Sequence, residues 1–275
     1  MKRRKIKLLA GAIMIAMTGA IFTGCGNSDS NGEVAITVSG STSVGPLMGK
    51  IAEKYEEVNA NVSVEINQTG SSAGIKDVMD GISEIGMSSR ELKDEEEQLV
   101  KGTVIAYDGV AVIVNVKNTV KDLTIDQIRD IFTGKVTNWK EVGGSDQPIV
   151  VVSRESGSGT RAAFEEGAGY SEEELVKDAT IYKGNGDVKT TVSTNENAIG
   201  YVSFEYLGDD ISALNVNGAE PTAENVKNNS YVLSRPFLAV TNDKYITEDA
   251  QKLIDYIVSE EGQQIVKDNK LITID

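Results

Sequence analysis

One pattern recurs along this chain and restricts its fold more than any other feature. An apolar, strand-like run is followed by a loop of Ser, Thr and Gly and then by a helix-like segment. This happens four times, with loops at residues 40–46, 69–74, 88–90 and 153–161. Units of this length are typical of an α/β fold with a parallel or mixed sheet, whose ligands bind beyond the carboxyl ends of the strands. We therefore expect the four loops to gather at one edge of a sheet.

The fourth loop has the composition of an anion site. It reads Ser-Arg-Glu-Ser-Gly-Ser-Gly-Thr-Arg, follows the apolar run 149–152 and precedes a helix-like segment. Ser and Thr side chains cap free backbone N–H groups at helix starts, and Gly lets the backbone approach a ligand closely. Such N–H groups, the positive end of the helix dipole and a neighbouring guanidinium attract anions. One such loop alone is better explained as an ordinary capped turn, but four of matching chemistry favour a shared site.

The order of the predicted elements indicates two halves. Two predicted helices, at residues 248–257 and 260–267, follow a late apolar strand, and we expect them to return to the first half of the chain. The prediction is lobe I from residues 33–110 plus 237–275 and lobe II from residues 111–236. The chain then crosses between the lobes twice.

The N-terminus has the pattern of a secretory signal peptide, predicted at residues 1–24. Five of the first seven residues are Lys or Arg, an apolar stretch follows, and the only cysteine of the chain is Cys25. This stretch is too short for a membrane-spanning helix. The sequence Phe-Thr-Gly-Cys resembles a bacterial lipobox, with Phe22 in place of the usual Leu, so Cys25 is predicted to be lipidated. Residues 25–32 then form a flexible tether. The alternative is an unlipidated signal peptide with an incidental cysteine.

Charge and the absence of histidine exclude several functions. Removal of the signal peptide changes the net charge from −15 to −20, because that segment carries five Lys or Arg and no acid. Such an acidic protein does not favour nucleic acid or anionic lipid as partners. With no histidine there is no Ser–His–Asp or Cys–His site, and the chain contains neither a Ser-x-x-Lys motif nor a P-loop. We expect no enzyme, no cofactor and no metal site; a secreted phosphohydrolase is the disfavoured enzymatic alternative.

Several segments, taken together and in order, resemble the phosphate-binding proteins of phosphate ABC transporters, in the Gram-positive lipoprotein form. They cover nearly all of the mature chain: Gly-Ser-Thr-Ser-Val-Gly-Pro at 40–46, Gly-Ser-Ser-Ala-Gly at 70–74, Gly-Met-Ser-Ser-Arg at 86–90, Ile-Phe-Thr-Gly-Lys-Val-Thr-Asn-Trp at 131–139, Arg-Glu-Ser-Gly-Ser-Gly-Thr-Arg at 154–161 and Ala-Ile-Gly-Tyr-Val at 198–202. The resemblance implies a two-lobed type II periplasmic-binding-protein fold that closes like a hinge on orthophosphate.

The resemblance also implies a set of phosphate-binding residues, carried over motif by motif. They are hydroxyls, backbone N–H groups and one guanidinium, namely Thr42, Ser43 through its N–H, Ser71, Ser89, Arg154, Ser158, Gly159 through its N–H, and Thr160.

The first departure from the family pattern is Ser89, which stands where many members have an aspartate. That aspartate accepts the phosphate proton and rejects sulfate, which would face a carboxylate without a hydrogen bond in return. Asp108 interrupts the apolar run 104–116 and is either solvent-facing at a bend or buried for a purpose. We take Asp108 as the candidate proton acceptor.

The second departure is Ser156, where some members have an aspartate that pairs with the site arginine. Either Glu155 takes over this role or Arg154 is freer in this chain.

These observations predict an extracytoplasmic solute-binding lipoprotein at the outer face of the cytoplasmic membrane, attached through its N-terminal lipid only. It is expected to capture inorganic phosphate between two lobes and to deliver it to the phosphate ABC permease, which has its own ATPase. Two alternatives stay open: a receptor for another tetrahedral oxyanion such as sulfate, and an anion-sensing surface protein not coupled to transport.

Overall fold

The computed structural model describes residues 34–274, in which strands and helices alternate. The strands are β1 (Val34–Gly40), β2 (Val62–Asn67), β3 (Ile85–Ser88), β4 (Lys101–Asn115), β5 (Asp122–Leu123), β6 (Val150–Arg154), β7 (Thr180–Tyr182), β8 (Ala198–Ser203), β9 (Ile211–Ala213), β10 (Asn215–Val216) and β11 (Ser234–Thr241). The helices are α1 (Gly45–Val58), α2 (Ser71–Met79), α3 (Asp94–Glu97), α4 (Ile125–Phe132), α5 (Gly159–Ala168), α6 (Asn185–Thr194), α7 (Ala223–Lys227), α8 (Glu248–Val258) and α9 (Glu260–Asp268). Short 3₁₀ turns cover Trp139–Val142, Glu172–Glu174 and Phe204–Tyr206.

A mixed sheet runs through the molecule in the order β2-β1-β3-β11-β4-β8-β6-β7, with β9 also paired to β4 and a separate β5–β10 pair. Strand β1 is parallel to β2 and β3, and β6 is parallel to β7 and β8. Strand β11 is antiparallel to both β3 and β4. The first part of β4 pairs with β11 and the second part, from Val110, pairs with β8. Strand β4 therefore connects the two parts of the sheet, because its first part pairs with β11 and its second part pairs with β8.

Two large clusters of buried hydrophobic side chains pack on this sheet. The first core takes residues from β1, α1, β3, α8 and α9, including Ile36, Leu47, Ile85, Leu253 and Val266. The second core takes residues from β4, α4, α5 and β8, including Val112, Phe132, Phe164, Ile199 and Tyr201. Membership changes from one core to the other between Ala106 and Val110 on β4, and between Leu233 and Phe237 at the start of β11.

Aromatic packing in the second core fixes α5 against the sheet. The ring of Phe164 stacks on Tyr201 of β8 with centroids 4.0 Å apart, and Phe132 of α4 contacts the same Phe164 edge-on at 4.7 Å. The Tyr201 hydroxyl lies 2.8 Å from Ser153 Oγ and accepts the N–H of Arg154 at 3.2 Å. These contacts hold the end of β6 and the start of α5 in place.

The acidic segment 91–99 contains less helix than its composition favours. Only α3, Asp94–Glu97, is helical. Extension toward the N-terminus would place Glu91 and Glu95 four residues apart on one helix face, where like charges repel.

The predicted signal peptide, Cys25 and the tether lie outside the described residues. In the part of the chain that the structure describes, no helix is long and apolar enough to cross a membrane. Across residues 34–274 no group of three or more His, Cys, Asp or Glu side chains is placed to hold a metal ion.

Candidate anion site

Residues from all four Ser/Thr/Gly loops surround one small cavity. It is lined by Ser41, Thr42, Gly70, Ser71, Ser89, Arg154, Ser158, Gly159 and Thr160. The loops follow β1, β2, β3 and β6, so each lies at the carboxyl end of a strand. They do not share one edge of the sheet as predicted, because β6 runs opposite to β1, β2 and β3. The cavity is too small for a nucleotide or a sugar and suits a small ion.

The polar groups of the lining are hydrogen-bond donors with one positive charge. Six of the lining side chains are hydroxyls, one is the guanidinium of Arg154, and none of the lining residues is a carboxylate. Helices α2 and α5 begin at the cavity, at Ser71 and Gly159. The first N–H groups of a helix have no acceptor within it and carry the positive end of its dipole. The lining therefore presents donors to an anion, although the protein as a whole is acidic.

Arg154 is held at the end of β6 by a carboxylate and by residues on both sides of the cavity. Its Nε and Nη2 donate to the two oxygens of Glu155 at 3.0 and 3.1 Å. Nη2 also donates to Thr42 Oγ1 at 3.1 Å, and Nη1 donates to Thr160 Oγ1 at 3.4 Å. Ser156 stands where some family members have an aspartate that pairs with the site arginine. In this structure Glu155 makes that pair with Arg154 instead.

Three hydroxyls form a connected group on the first-core side of the cavity. Ser41 Oγ donates to Ser89 Oγ at 2.9 Å, and the N–H of Ser89 donates to Ser71 Oγ at 3.1 Å. The hydroxyls of Ser71 and Ser89 lie 3.3 Å apart, and either can be the donor. Whichever way that bond runs, the pair has one O–H proton and one lone pair left, because each hydroxyl has one donor and two acceptor positions.

Gly159 brings the two sides of the cavity close together. A Cβ added at this position would overlap Ser71 Oγ and would lie 2.6 Å from Ser89 Oγ. Ser158 caps the same helix, its Oγ accepting the N–H of Arg161 at 3.3 Å. Only a residue without a side chain allows α5 to approach the first-core loops this closely.

Ser43 differs from its predicted role. Its N–H, expected to contact the anion, donates to Ser41 Oγ at 3.1 Å instead, and Ser43 is not part of the cavity lining. Sequence reasoning missed Ser41 and Gly70, which do line the cavity. The signal for Ser41 was its position beside Thr42, but nothing local shows that its hydroxyl accepts two backbone N–H groups, from Ser43 and Val44.

Asp108 also differs from its predicted role, because it is buried away from the cavity. Its Oδ2 accepts from Nη2 and Nε of Arg235 at 2.9 and 3.2 Å, and its Oδ1 accepts the N–H of Phe204 at 3.2 Å. The two residues face each other across β4 and β11. A carboxylate engaged in this way, outside the lining, does not reach a proton on a bound anion.

A second carboxyl, Glu205, lies near this ion pair. Its Oε2 is buried without a hydrogen-bond partner among the described residues. Burial and the charge of Asp108 raise the pKa of Glu205 to about 8, against the attraction of Lys50. The next residue, Tyr206, donates its hydroxyl to the carbonyl oxygen of Thr42 at 3.1 Å. Glu205 is therefore a protonated carboxyl at neutral pH, close to a contact between the two sides of the site.

Comparisons with known proteins agree with this geometry. The sequence model of a protein family, described as a PBP superfamily domain, matches residues 27–261. A phosphate-binding protein of Borreliella burgdorferi is 31% identical, over 95% of this chain and 97% of the relative. One of Bacillus subtilis is 34% identical over 100% of this chain and 95% of its own.

Solved structures give the fold. A Clostridium perfringens protein, assigned as a phosphate ABC transporter substrate-binding protein and containing bound phosphate, is 56% identical with a TM-score of 0.86, over 88% of this chain and 100% of that one. An ABC-type phosphate transport receptor of Vibrio cholerae is 36% identical with a TM-score of 0.75, and the match covers 86% of this chain and 99% of that one. The α/β architecture described above is that of type II periplasmic binding proteins.

Proposed function

The chain belongs to the phosphate-binding proteins of the PBP superfamily, and we propose that it binds inorganic phosphate in the cavity between its two cores and delivers it to an ABC permease. It is a binding protein and not an enzyme. The observation that carries the proposal is the lining itself, in which hydroxyls, helix N-termini and Arg154 surround one small cavity without a carboxylate.

The proposed phosphate ligands are the free donors that line the cavity: the hydroxyls of Thr42, Ser71, Ser89, Ser158 and Thr160, the N–H of Gly159 and the guanidinium of Arg154. Ser41 also lines the cavity, but its only proton is donated to Ser89. Arg154 supplies charge-assisted bonds, which are shorter and stronger than neutral ones. The lone pair left on the Ser71–Ser89 pair can accept a phosphate proton, so a protonated and a fully ionised oxygen both find a partner.

We propose further that the cores belong to two lobes, residues 33–110 plus 237–275 and residues 111–236, which close on the ligand. The two separate hydrophobic clusters support this division, as does β4, whose first part contributes to the first core and whose second part contributes to the second core. Closure removes water from the cavity, and hydrogen bonds to an anion are worth more in the lower dielectric that results.

The sequence pattern supports an extracytoplasmic, membrane-attached protein with lipid on Cys25. Metabolic labelling with a radioactive fatty acid tests this attachment. Label is expected on the wild-type chain and not on the Cys25→Ser variant, and an unlabelled wild-type chain refutes the anchor.

A second candidate ligand, sulfate, is favoured by one observation: none of the lining residues is an acid that would repel a fully ionised oxyanion. Under this candidate the protein is a receptor for tetrahedral oxyanions in general.

Isothermal titration of the mature chain with phosphate, in a large excess of sulfate, tests both candidates. Tight one-to-one binding that ignores sulfate supports the phosphate receptor, and competition by sulfate supports the broader one. Arg154→Gln is expected to weaken binding at least about 100-fold, while the partly exposed Arg129→Gln serves as a matched control. No binding of phosphate by the wild-type chain refutes the proposed function.

A further inference from the structure

Ser43 is completely buried and its hydroxyl is bonded to three side chains from three other elements. Asn185 Nδ2, at the start of α6, donates to Ser43 Oγ at 2.9 Å, and Arg235 Nη2, on β11, donates at 3.1 Å. The third partner is Thr160 Oγ1, on α5, at 2.8 Å. Of these residues only Thr160 lines the anion cavity.

The direction of the third bond follows from counting protons. A serine hydroxyl has one proton and two lone pairs. Arg235 and Asn185 have only N–H groups at these positions, so their two bonds occupy both lone pairs of Ser43. The proton of Ser43 therefore has to be donated to Thr160 Oγ1.

The same count then fixes Thr160. Its Oγ1 accepts the proton of Ser43 and also the N–H of Arg154 Nη1 at 3.4 Å. Both lone pairs of Thr160 are then in use, and its own proton is the one group left to bond. We infer that Ser43, saturated by Arg235 and Asn185, holds Thr160 as an obligatory hydrogen-bond donor to the bound anion, and that Ser43, Arg235 and Asn185 are positioning residues for anion capture.

The supporting residues are themselves fixed. Asp108 accepts two bonds from Arg235, so that guanidinium cannot turn away from Ser43 without leaving a buried carboxylate unpaired. Asn185 Oδ1 accepts the N–H of Ser203 at 3.3 Å, which sets its Nδ2 toward Ser43 and settles which end of the amide is the donor. The buried pair of Asp108 and Arg235 thus acts on the site through hydrogen-bond direction, without contact with the ligand.

The inference rests on the proposed function, because it assigns a role toward a bound tetrahedral oxyanion. It predicts that Ser43→Ala frees Thr160 to rotate its proton away from the anion. Phosphate affinity is expected to fall about 10- to 100-fold, mainly through faster dissociation. Thr160→Val removes the donor itself and is expected to weaken binding at least as much.

A double-mutant cycle by isothermal titration with phosphate separates this role from a structural one. If Ser43 acts through Thr160, the Ser43→Ala change costs almost nothing once Thr160→Val is present, since the proton it orients is gone. Asn185→Ala is expected to show the same dependence on Thr160. Asn115→Ala is the matched control, because that buried amide bonds to backbone groups outside the anion site: its Nδ2 donates to the carbonyls of Val192 and Ser193, and its Oδ1 accepts the N–H of Lys117.

The outcomes are distinct. Additive losses in the cycle, or wild-type dissociation constants in both Ser43→Ala and Asn185→Ala, overturn the inference while the proposed function stands. If the wild-type chain binds sulfate and not phosphate, the proposed function fails and the same cycle is run with sulfate. A wild-type chain that binds neither anion overturns both. Should Ser43→Ala fail to fold, which a thermal melt shows, the cycle of Asn185→Ala with Thr160→Val decides alone.

Discussion

Replacement of Gly159 by alanine is the sharpest perturbation of the proposed site. The added methyl group would overlap Ser71 Oγ and come within 2.6 Å of Ser89 Oγ, on the opposite side of the cavity. Gly159 is the first residue of α5 and its φ is not positive, so alanine fits the backbone without strain. The substitution therefore acts on the approach of the two sides and not on the helix.

The size of the effect follows from the bonds that are lost. If the anion can no longer contact Ser71 and Ser89, two hydrogen bonds to a charged group disappear, each worth about 1.5–3 kcal/mol. Their sum, about 3–6 kcal/mol, corresponds to roughly 100- to 10,000-fold in the dissociation constant. Without phosphate the variant is expected to unfold at the wild-type temperature or above, because alanine favours helix over glycine by up to about 1 kcal/mol.

Isothermal titration and thermal unfolding of the same samples check both expectations. Gly186→Ala is the matched control, since this glycine is also near the start of a helix and a Cβ there meets nothing within 4 Å. It is expected to bind phosphate as the wild-type chain does. If Gly159→Ala binds phosphate within about threefold of wild type, the close approach described here does not occur in the bound protein and the reasoning is refuted.

Three further predictions concern the carboxyl groups. Between the ordinary carboxyl pKa of 4.5 and the native pKa of about 8, folded Glu205 keeps a proton that the unfolded chain releases. Stability should therefore fall as pH rises through this range, by up to about 1.4 kcal/mol per pH unit from this group. Glu205→Gln should reduce that slope in urea unfolding, and an identical slope in both proteins contradicts the assignment. Ser89→Asp places a carboxylate in the cavity wall, so sulfate should lose its ability to compete with phosphate in titrations; undiminished competition would show that residue 89 does not face the anion. Asp108→Asn should leave the phosphate-to-sulfate preference unchanged and lower the free energy of unfolding by about 3–5 kcal/mol, because it leaves Arg235 buried without its partner; a changed preference at normal stability would restore Asp108 to the site.

Local sequence chemistry predicts the parts of this molecule that depend on local geometry. The strand–loop–helix pattern places Ser71, Ser158 and Gly159 at helix starts, and the meeting of the first three loops follows from the parallel strands β1, β2 and β3 before them. The pattern does not predict that the fourth loop faces them from β6, which runs in the opposite direction. The type II periplasmic-binding-protein fold came from the order of several motifs together, which no single loop would have given.

Long-range pairing decides what local chemistry could not predict. The sequence suggests Asp108 as the acceptor of a phosphate proton, but in the structure Asp108 pairs with Arg235. These two residues are 127 positions apart, so local sequence does not indicate the pair. Ser43 bonds to Asn185, 142 positions away, and to Arg235, 192 positions away. A loop of matching Ser and Thr residues does not show which hydroxyl faces the cavity and which one faces inward. That choice depends on partners that only the folded chain brings together.

The place of β11 in the sheet determines the order in which this chain can fold. Strand β11 lies between β3 and β4, although about 145 residues separate it in sequence from β3. Until β11 is available, β3 has one edge without its native partner, and exposed strand edges invite aggregation. The second core draws nearly all of its residues from 110–233 and is almost complete by then. A chain that emerges N-terminus first therefore completes its middle segment before its first segment. Its opening strands have to be protected until the last 40 or so residues arrive.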